Sequence, residues 1–264
     1  MERLFYLSGL VRSGGTVLGS IINQNPDFYV SPTSPLMDIM MGIEYHIGMM
    51  SQRWTFDHRQ KTVNFLQDAF RTYYKDVDKK YIIDNHKGWP TNIGQIKKDF
   101  DMDPRVICLY RPLPEIIASF MELIKRDPKN AVDQELKKNN KPLTVKNRAM
   151  LIWDVATRQT WEAFNNGLTL YPQHIHLVKY DDLCGNPQET VNGIYDFLGV
   201  PHFAHDFENI ENTLAEDHDE VLGFKNLHNI RTSLKKTSID PKEVLGEELV
   251  KYFEKYDKLL RLPK

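Results

Sequence analysis

Three glycines, an arginine and two hydroxyl side chains crowd into Gly9-Leu-Val-Arg-Ser-Gly-Gly-Thr16. These residue types at this spacing build a phosphate cradle. Glycines let backbone N–H groups approach an anion, and a helix N-terminus adds its partial positive charge. Gly9, Gly14 and Thr16 fit the nucleotide-triphosphate loop Gly-x-x-x-x-Gly-Lys-Ser/Thr, but Gly15 stands in its lysine slot. A kinase or GTPase uses that lysine on the β- and γ-phosphates. Here the loop's cation is Arg12, at its tip. The substitution points away from ATP and towards another phosphate-rich donor.

Two further constellations carry cations at the ends of apolar runs. Tyr81-Ile-Ile-Asp84 leads into Asn85-His-Lys-Gly-Trp-Pro90, and open α/β sheets place ligands beyond such strand ends, so His86 and Lys87 are candidates. Arg105-Val-Ile-Cys-Leu-Tyr110 reads as a central strand covered on both faces, with Arg111 at its C-terminal end and Ser119 on the following helix. A guanidinium gives a forked, charge-assisted contact to phosphate, and a serine hydroxyl adds a second bond.

The loop Leu-Val-Arg-Ser-Gly-Gly-Thr at 10–16 resembles the 5′-phosphosulfate loop of sulfotransferases, usually Pro-Arg/Lys-Ser-Gly-Thr/Gly-Thr; Val11 replaces the common proline. That family takes 3′-phosphoadenosine 5′-phosphosulfate (PAPS) as sulfuryl donor and releases adenosine 3′,5′-bisphosphate. Arg111 followed by Ser119 matches the family's 3′-phosphate site. Asn85 to Pro90 is similar to the Asp-Lys-x-Arg-Gly-Trp-Pro segment of bacterial members, with Asn85 in place of the first lysine. Val-Lys-Tyr-Asp-Asp-Leu at 178–183, with Pro187 and Phe197-Leu-Gly199, resembles the segment whose tyrosine, here Tyr180, lies against adenine. Arg231 is the candidate from the late basic loop that folds over the 3′-phosphate. These segments occur in the family's order.

The resemblance implies a P-loop three-layer α/β/α sandwich with a mostly parallel central sheet, in one domain over residues 1–264. It implies sulfuryl transfer from PAPS to a hydroxyl or amine of a small-molecule or saccharide acceptor, without a metal. Backbone N–H groups of Ser13, Gly14, Gly15, Thr16 and Val17 would hold the 5′-phosphosulfate, and Arg12 would neutralise charge on the bridging oxygen. His86 is the first candidate for general base, with Lys87 or an acidic residue as rivals. Two alternatives stand beside this: a P-loop kinase using ATP and magnesium, and a catalytically silent nucleotide-binding protein.

The elements that position these residues follow in chain order. Leu4 to Leu7 is the first strand and Thr16 to Ile22 the first helix. Phe28 to Val30 is a short strand closed by Ser31-Pro-Thr-Ser-Pro35, and Ser34 and Pro35 start a methionine-rich helix to Met50. That helix reads first as core and second as an adaptable acceptor wall. Gln60 to Tyr74 is amphipathic. Lys125 to Arg148 is lysine-rich and reads as a solvated loop or mobile insertion, with a lid over an acidic acceptor as the functional alternative. Thr144 to Asn166 is a long helix, His174 to Tyr180 a strand, Gln188 to Leu198 a helix and Gly246 to Leu260 the closing helix. His174 and His176 lack a third ligand at recognisable spacing and read as structural.

Composition narrows the class. The 264 residues are 41% hydrophobic and 27% charged, as in a globular protein with a full core. A net charge of −2 gives no support for nucleic-acid or anionic-membrane binding, so an anionic donor needs a local cation cluster. No apolar run reaches the length of a membrane span. Met1-Glu-Arg-Leu leads straight into the first strand, which makes the chain either cytoplasmic or the trimmed form of an anchored protein, the cytoplasm being the default. Cys108 and Cys184 read as free thiols. Oligomeric state is not legible.

Overall fold

The computed structural model describes residues 3–50, 55–100, 103–214, 223–224, 227–236, 239–260 and 262. In chain order these form β1 (Arg3–Gly9), α1 (Gly15–Ile22), β2 (Phe28–Thr33), α2 (Leu36–Met50), α3 (Phe56–Tyr73), β3 (Tyr81–Asn85), α4 (Trp89–Phe100), β4 (Val106–Tyr110) and α5 (Leu113–Arg126). There follow α6 (Ala131–Lys138), α7 (Val145–Ile152), a π-helical turn (Trp153–Thr157), α8 (Arg158–Leu170), β5 (Ile175–Lys179), α9 (Tyr180–Gly185), α10 (Pro187–Leu198), α11 (Pro241–Leu245) and α12 (Glu247–Asp257).

The five described strands lie in the order β2-β3-β1-β4-β5, with every neighbouring pair parallel. The period-2 alternation of strand side chains explains the layers. Phe5 and Leu7, Tyr81 and Ile83, and Ile107 and Leu109 point to a face covered by Leu18, Ile21 and Ile22 of α1 and Val191, Ile194 and Leu198 of α10. The intervening Tyr6, Ile82, Val106 and Cys108 point to the other face, against α2, α4, α5, α8 and α12. The sheet is therefore buried on both sides, in the expected three-layer α/β/α arrangement. Parallel strands with helical crossovers bring all their C-terminal ends to one edge. That edge carries Thr33, Asn85, the loop after Gly9, Arg111 and Tyr180.

Several elements differ from the sequence reading. β2 continues through Ser31 and Pro32 to Thr33, where the expected strand ended at Val30. Its pairing with β3 shifts register between Val30 and Thr33, and an edge strand tolerates a proline at such an irregularity. Ser34 does cap the following helix, its Oγ accepting the Leu36 N–H at 3.1 Å.

The stretch 125–148 is not a solvated loop. Its first residues finish α5, and Asn130 then caps α6 by accepting the Asp133 N–H at 2.8 Å. Val132 and Leu136 are buried, and the Arg148 guanidinium grips both Asp133 carboxylate oxygens at 2.7 and 2.8 Å. Those hydrogen bonds hold the Asp133 carboxyl below its usual range. Only Val132 and Leu136 of α6 are large and apolar, and the core it covers belongs to other elements. The helix expected over 144–166 reaches Leu170 and is interrupted by the π turn; Val155 in that turn is 68% exposed rather than core. Both cysteines are free thiols. Among the described residues no helix is long and apolar enough to cross a membrane.

Two contacts yield tests. Gly9 has φ 116°, and a Cβ there would lie 2.3 Å from both the backbone N and O of Leu109 on β4. Gly9→Ala is expected to cost about 3 kcal/mol of stability, combining left-handed strain with a backbone clash. Urea denaturation checks it, and a wild-type midpoint would refute the close approach.

Asp257 of α12 accepts the Leu113 N–H at 2.9 Å with Oδ2, tying the last helix to the start of α5. Burial, helped by the neighbouring Glu254 and Glu115 charges, raises its pKa to about 7 against opposing hydrogen bonds from Leu113 and Tyr110. Between the ordinary carboxylate range and pH 7 the native state thus binds more protons than the unfolded chain. This contribution is present at low pH and lost as pH rises through about 7. Asp257→Asn is expected to gain stability relative to wild type on going from pH 5 to pH 8, as read by paired denaturation curves. Parallel pH profiles would refute it.

Candidate active site

The loop between β1 and α1 is held in an unusual backbone path. Arg12 has φ 56° and Gly14, which caps α1, has φ 100°. A side chain at 14 would also press on the Tyr180 ring, with Cδ2 at 3.1 Å from its Cβ. The left-handed turns bring the start of α1 over the sheet edge, where its first N–H groups lack intrahelical acceptors. Ser13 is buried and its Oγ donates to the Leu10 carbonyl, bracing the loop from inside.

Arg12 does not project from the loop tip alone. Its Nε donates to Ser119 Oγ at 3.4 Å, and Nη1 donates to the Leu227 carbonyl of the late segment. The left-handed conformation, costly for a non-glycine residue, turns its carbonyl to accept Arg111 Nη1 at 3.3 Å. Arg12, Arg111 and Ser119 thus come together, although they are more than a hundred positions apart at the extremes.

Arg111 is 4% exposed. Its Nε donates to Glu115 Oε2 at 3.0 Å one helical turn on, and its guanidinium lies 4.6 Å above the Tyr180 ring centroid. Nη2 is buried with no hydrogen-bond partner. A buried, unpartnered donor on a cation costs several kcal/mol unless an acceptor arrives. It therefore fits a bound anion, and Ser119 lines the same cavity. Tyr180, expected against a base, is 8% exposed and packs on Arg111 and Gly14 while still lining the cavity.

At the end of β3 the structure separates His86 from Lys87. A Cβ on Gly15 would stand 3.6 Å from Lys87 Nζ. The Lys87 ammonium, from the turn after the neighbouring strand, thus lies next to the loop's lysine slot. Ser8 Oγ donates to the Lys87 carbonyl at 3.1 Å and fixes that turn. His86 faces away from the cavity: Nδ1 accepts the Gly88 N–H at 3.0 Å, so the ring proton sits on Nε2, 3.3 Å from Asp38 Oδ2.

Behind the turn, the fully buried Asp84 accepts Trp89 Nε1–H at 2.8 Å and the Tyr74 hydroxyl at 2.5 Å. Burial raises the Asp84 pKa, and these hydrogen bonds oppose the rise. Asn85, in the family's lysine position, is buried and engaged through its backbone with Ser31 and Ser34.

One cavity of about 1160 Å³ joins Arg12, Gly14, Gly15, Thr16 and Val17 to Lys87, Arg111, Ser119 and Tyr180. The late segment closes it with His228, Asn229 and the exposed Arg231. Its size exceeds what one drug-sized ligand fills. Glu115, the partner of Arg111, escaped the sequence reading, because Arg111 precedes α5 and reaches back onto its first turn. The Leu227 carbonyl, Thr33 and the Lys87–Gly15 approach carry no sequence signal. His174 is satisfied by the Pro104 carbonyl at 3.1 Å and Lys97 at 2.7 Å, and among the described residues no three His, Cys, Asp or Glu gather as a metal site.

Comparison with known proteins bears on this geometry. A family model described as "Sulfotransferase family" matches residues 5–205. No curated protein matches the chain. The sulfotransferase domain from the curacin biosynthetic pathway superposes with a TM-score of 0.52 at 17% identity, covering 99% of this chain and 92% of that one. The sulfotransferase domain from the Synechococcus PCC 7002 olefin synthase gives 0.51 at 21% identity, covering 98% and 95%. The mouse sulfotransferase SULT7A1, described as complexed with PAP, gives 0.52 at 14% identity, covering 99% and 84%. At these identities the solved structures speak to the fold, and the family model, matching more than half the chain, speaks to descent. The loop, the strand-end cations and the buried arginine lie within residues 5–205, and the chain belongs to the sulfotransferase family.

Proposed function

We propose that this sulfotransferase uses PAPS as donor and transfers its sulfuryl group to a hydroxyl or amine. The observation that carries the donor assignment is the buried Arg111 Nη2, unpartnered in a cavity that also contains the phosphate loop. Two separated anion sites suit a nucleotide phosphorylated at both ends of its ribose. A linear triphosphate would leave Arg111 and Ser119 without a purpose.

The donor supplies an activated sulfuryl group and a stable bisphosphate leaving group. The chain's residues do the rest. Backbone N–H groups from Ser13 to Val17 bind the 5′-phosphosulfate, and Arg111 and Ser119, braced by Arg12, bind the 3′-phosphate. Arg231 adds charge from the late segment. Lys87, facing Gly15, takes the role first given to Arg12: an ammonium beside the bond that breaks, which stabilises charge as it develops on the bridging oxygen. Arg12 is held by Ser119 and Leu227 and serves the 3′ side. The attacking oxygen or nitrogen forms the new bond to sulfur, the bond to the bridging oxygen breaks, and the acceptor's proton passes to a base. His86, turned to Asp38 and Gly88, is outside the cavity lining; Glu122, Asp127 and Glu135 are the carboxylates that line it.

Calorimetric titration tests the donor site. Adenosine 3′,5′-bisphosphate is expected to bind without magnesium, and Arg111→Ala to weaken it by about 2–5 kcal/mol, the loss for truncating a buried charged contact. Preference for ATP with magnesium would overturn the assignment.

Lys87→Ala tests the transfer step. It is expected to lower kcat by roughly 100-fold or more, the scale of one lost electrostatic donor, while bisphosphate affinity changes little. Wild-type turnover in Lys87→Ala, with loss in Arg12→Ala, would return the transition-state role to Arg12.

A further inference from the structure

The cavity has a second half that the donor does not explain. Beyond Ser119, its wall is built from Phe120 and Leu123 of α5, Val132 of α6, Leu151 of α7, Val155 of the π turn and Phe224. Val155 is 68% exposed and apolar, and the extra residue of the π turn sets it and Ala156 on this wall. Such turns concentrate at functional sites.

The wall is a made surface rather than a gap. The Asp133–Arg148 fork ties α6 to α7, the Ala131 N–H donates to the Gly223 carbonyl at 3.0 Å, and Phe120 and Phe224 pack with ring centroids 5.6 Å apart.

Its charges exclude one acceptor class. The lysines between 125 and 146, which would suit an acidic sugar, do not line the cavity: Lys125 bridges Glu122 at 2.6 Å, Lys138 lies 3.8 Å from Glu135, and Lys146 lies 3.7 Å from Glu248. On this side the lining contributes Glu122, Asp127 and Glu135 beside Arg126, with Glu122 and Glu135 paired to Lys125 and Lys138, while Arg12, Lys87, Arg111, Arg231 and Lys235 line the rest of the cavity. An anionic acceptor would meet hydrocarbon and carboxylates with Arg126 as the one cation of this wall among the described residues, and a bare saccharide would leave its hydroxyls against hydrocarbon.

We propose that this half of the cavity takes the apolar body of an uncharged alcohol or phenol, held between α5, α6 and the π turn with its hydroxyl towards Lys87. The proposal rests on the sulfuryl-transfer reading above.

The experiment uses the full chain and three probes: 2-naphthol, 1-octanol and glucuronic acid. Each is titrated calorimetrically with and without adenosine 3′,5′-bisphosphate, and each is offered as acceptor with PAPS. 2-Naphthol or 1-octanol is expected to bind and to be sulfated, and glucuronic acid to do neither. Val155→Asp, at an exposed position that the fold tolerates, is expected to raise the naphthol dissociation constant and KM by about tenfold or more, since it sets a carboxylate against hydrocarbon. Bisphosphate titration of the same variant reports an intact donor side. Binding or sulfation of glucuronic acid with the apolar probes inert, or a Val155→Asp protein unchanged towards naphthol, overturns the proposal and leaves sulfuryl transfer standing. Absence of bisphosphate binding overturns the donor assignment instead, while the naphthol titration, which needs no donor, still decides the apolar half.

Discussion

A guanidinium held at 4% exposure organises this molecule. Burying a cation is costly, and Arg111 is compensated from three directions by two hydrogen bonds and a ring face. Glu115 neutralises it from α5, the Arg12 carbonyl takes Nη1 from the phosphate loop, and the Tyr180 ring covers its face from the start of α9. One side chain thereby joins the loop after β1, the end of β4 and the end of β5. Its remaining donor, Nη2, is buried without a partner. The same contacts explain why Arg12 holds a left-handed backbone, since its carbonyl and side chain are both engaged on this side of the site.

The parallel sheet makes that convergence available. Its two-faced core anchors β1, β3 and β4 by alternating side chains, so their C-terminal ends share one edge. The 2.3 Å clearance at Gly9 records how tightly the chain passes β4 before turning into the loop. A side chain there would push the loop off the edge where the cations stand.

The loop's empty lysine slot has an ammonium beside it from another strand end. A nucleotide-triphosphate loop places its ammonium on the helix itself; here Gly15 leaves room and Lys87 enters from β3. Its placement depends on the turn 86–89. Asp84 grips Trp89 and Tyr74 from beneath, Ser8 holds the Lys87 carbonyl, and His86 folds back on Gly88 and Asp38. Neighbours in sequence thus receive opposite assignments: one side chain enters the cavity and the next one back braces the turn.

The sequence by itself determined the features that are local or periodic. The glycine spacing of the loop, the apolar runs of β1, β3 and β4 and the cap at Ser34 follow from backbone conformation and strand alternation, and the three-layer fold was implied by the family resemblance that these segments carry in their order. Arg111 and Ser119 were legible because a strand end and the next helix stand at fixed spacing. What only the tertiary structure decided depends on contacts between distant segments. α6 was read as a loop because its stability comes from Arg148 and from a core supplied by other helices, not from its own Val132 and Leu136 alone. The turning of Arg12 to Ser119, the separation of Lys87 from His86 and the position of Val155 on the cavity wall follow from packing and from one inserted π turn. A linear pattern records which residues are present, and only the folded chain fixes which way each side chain points.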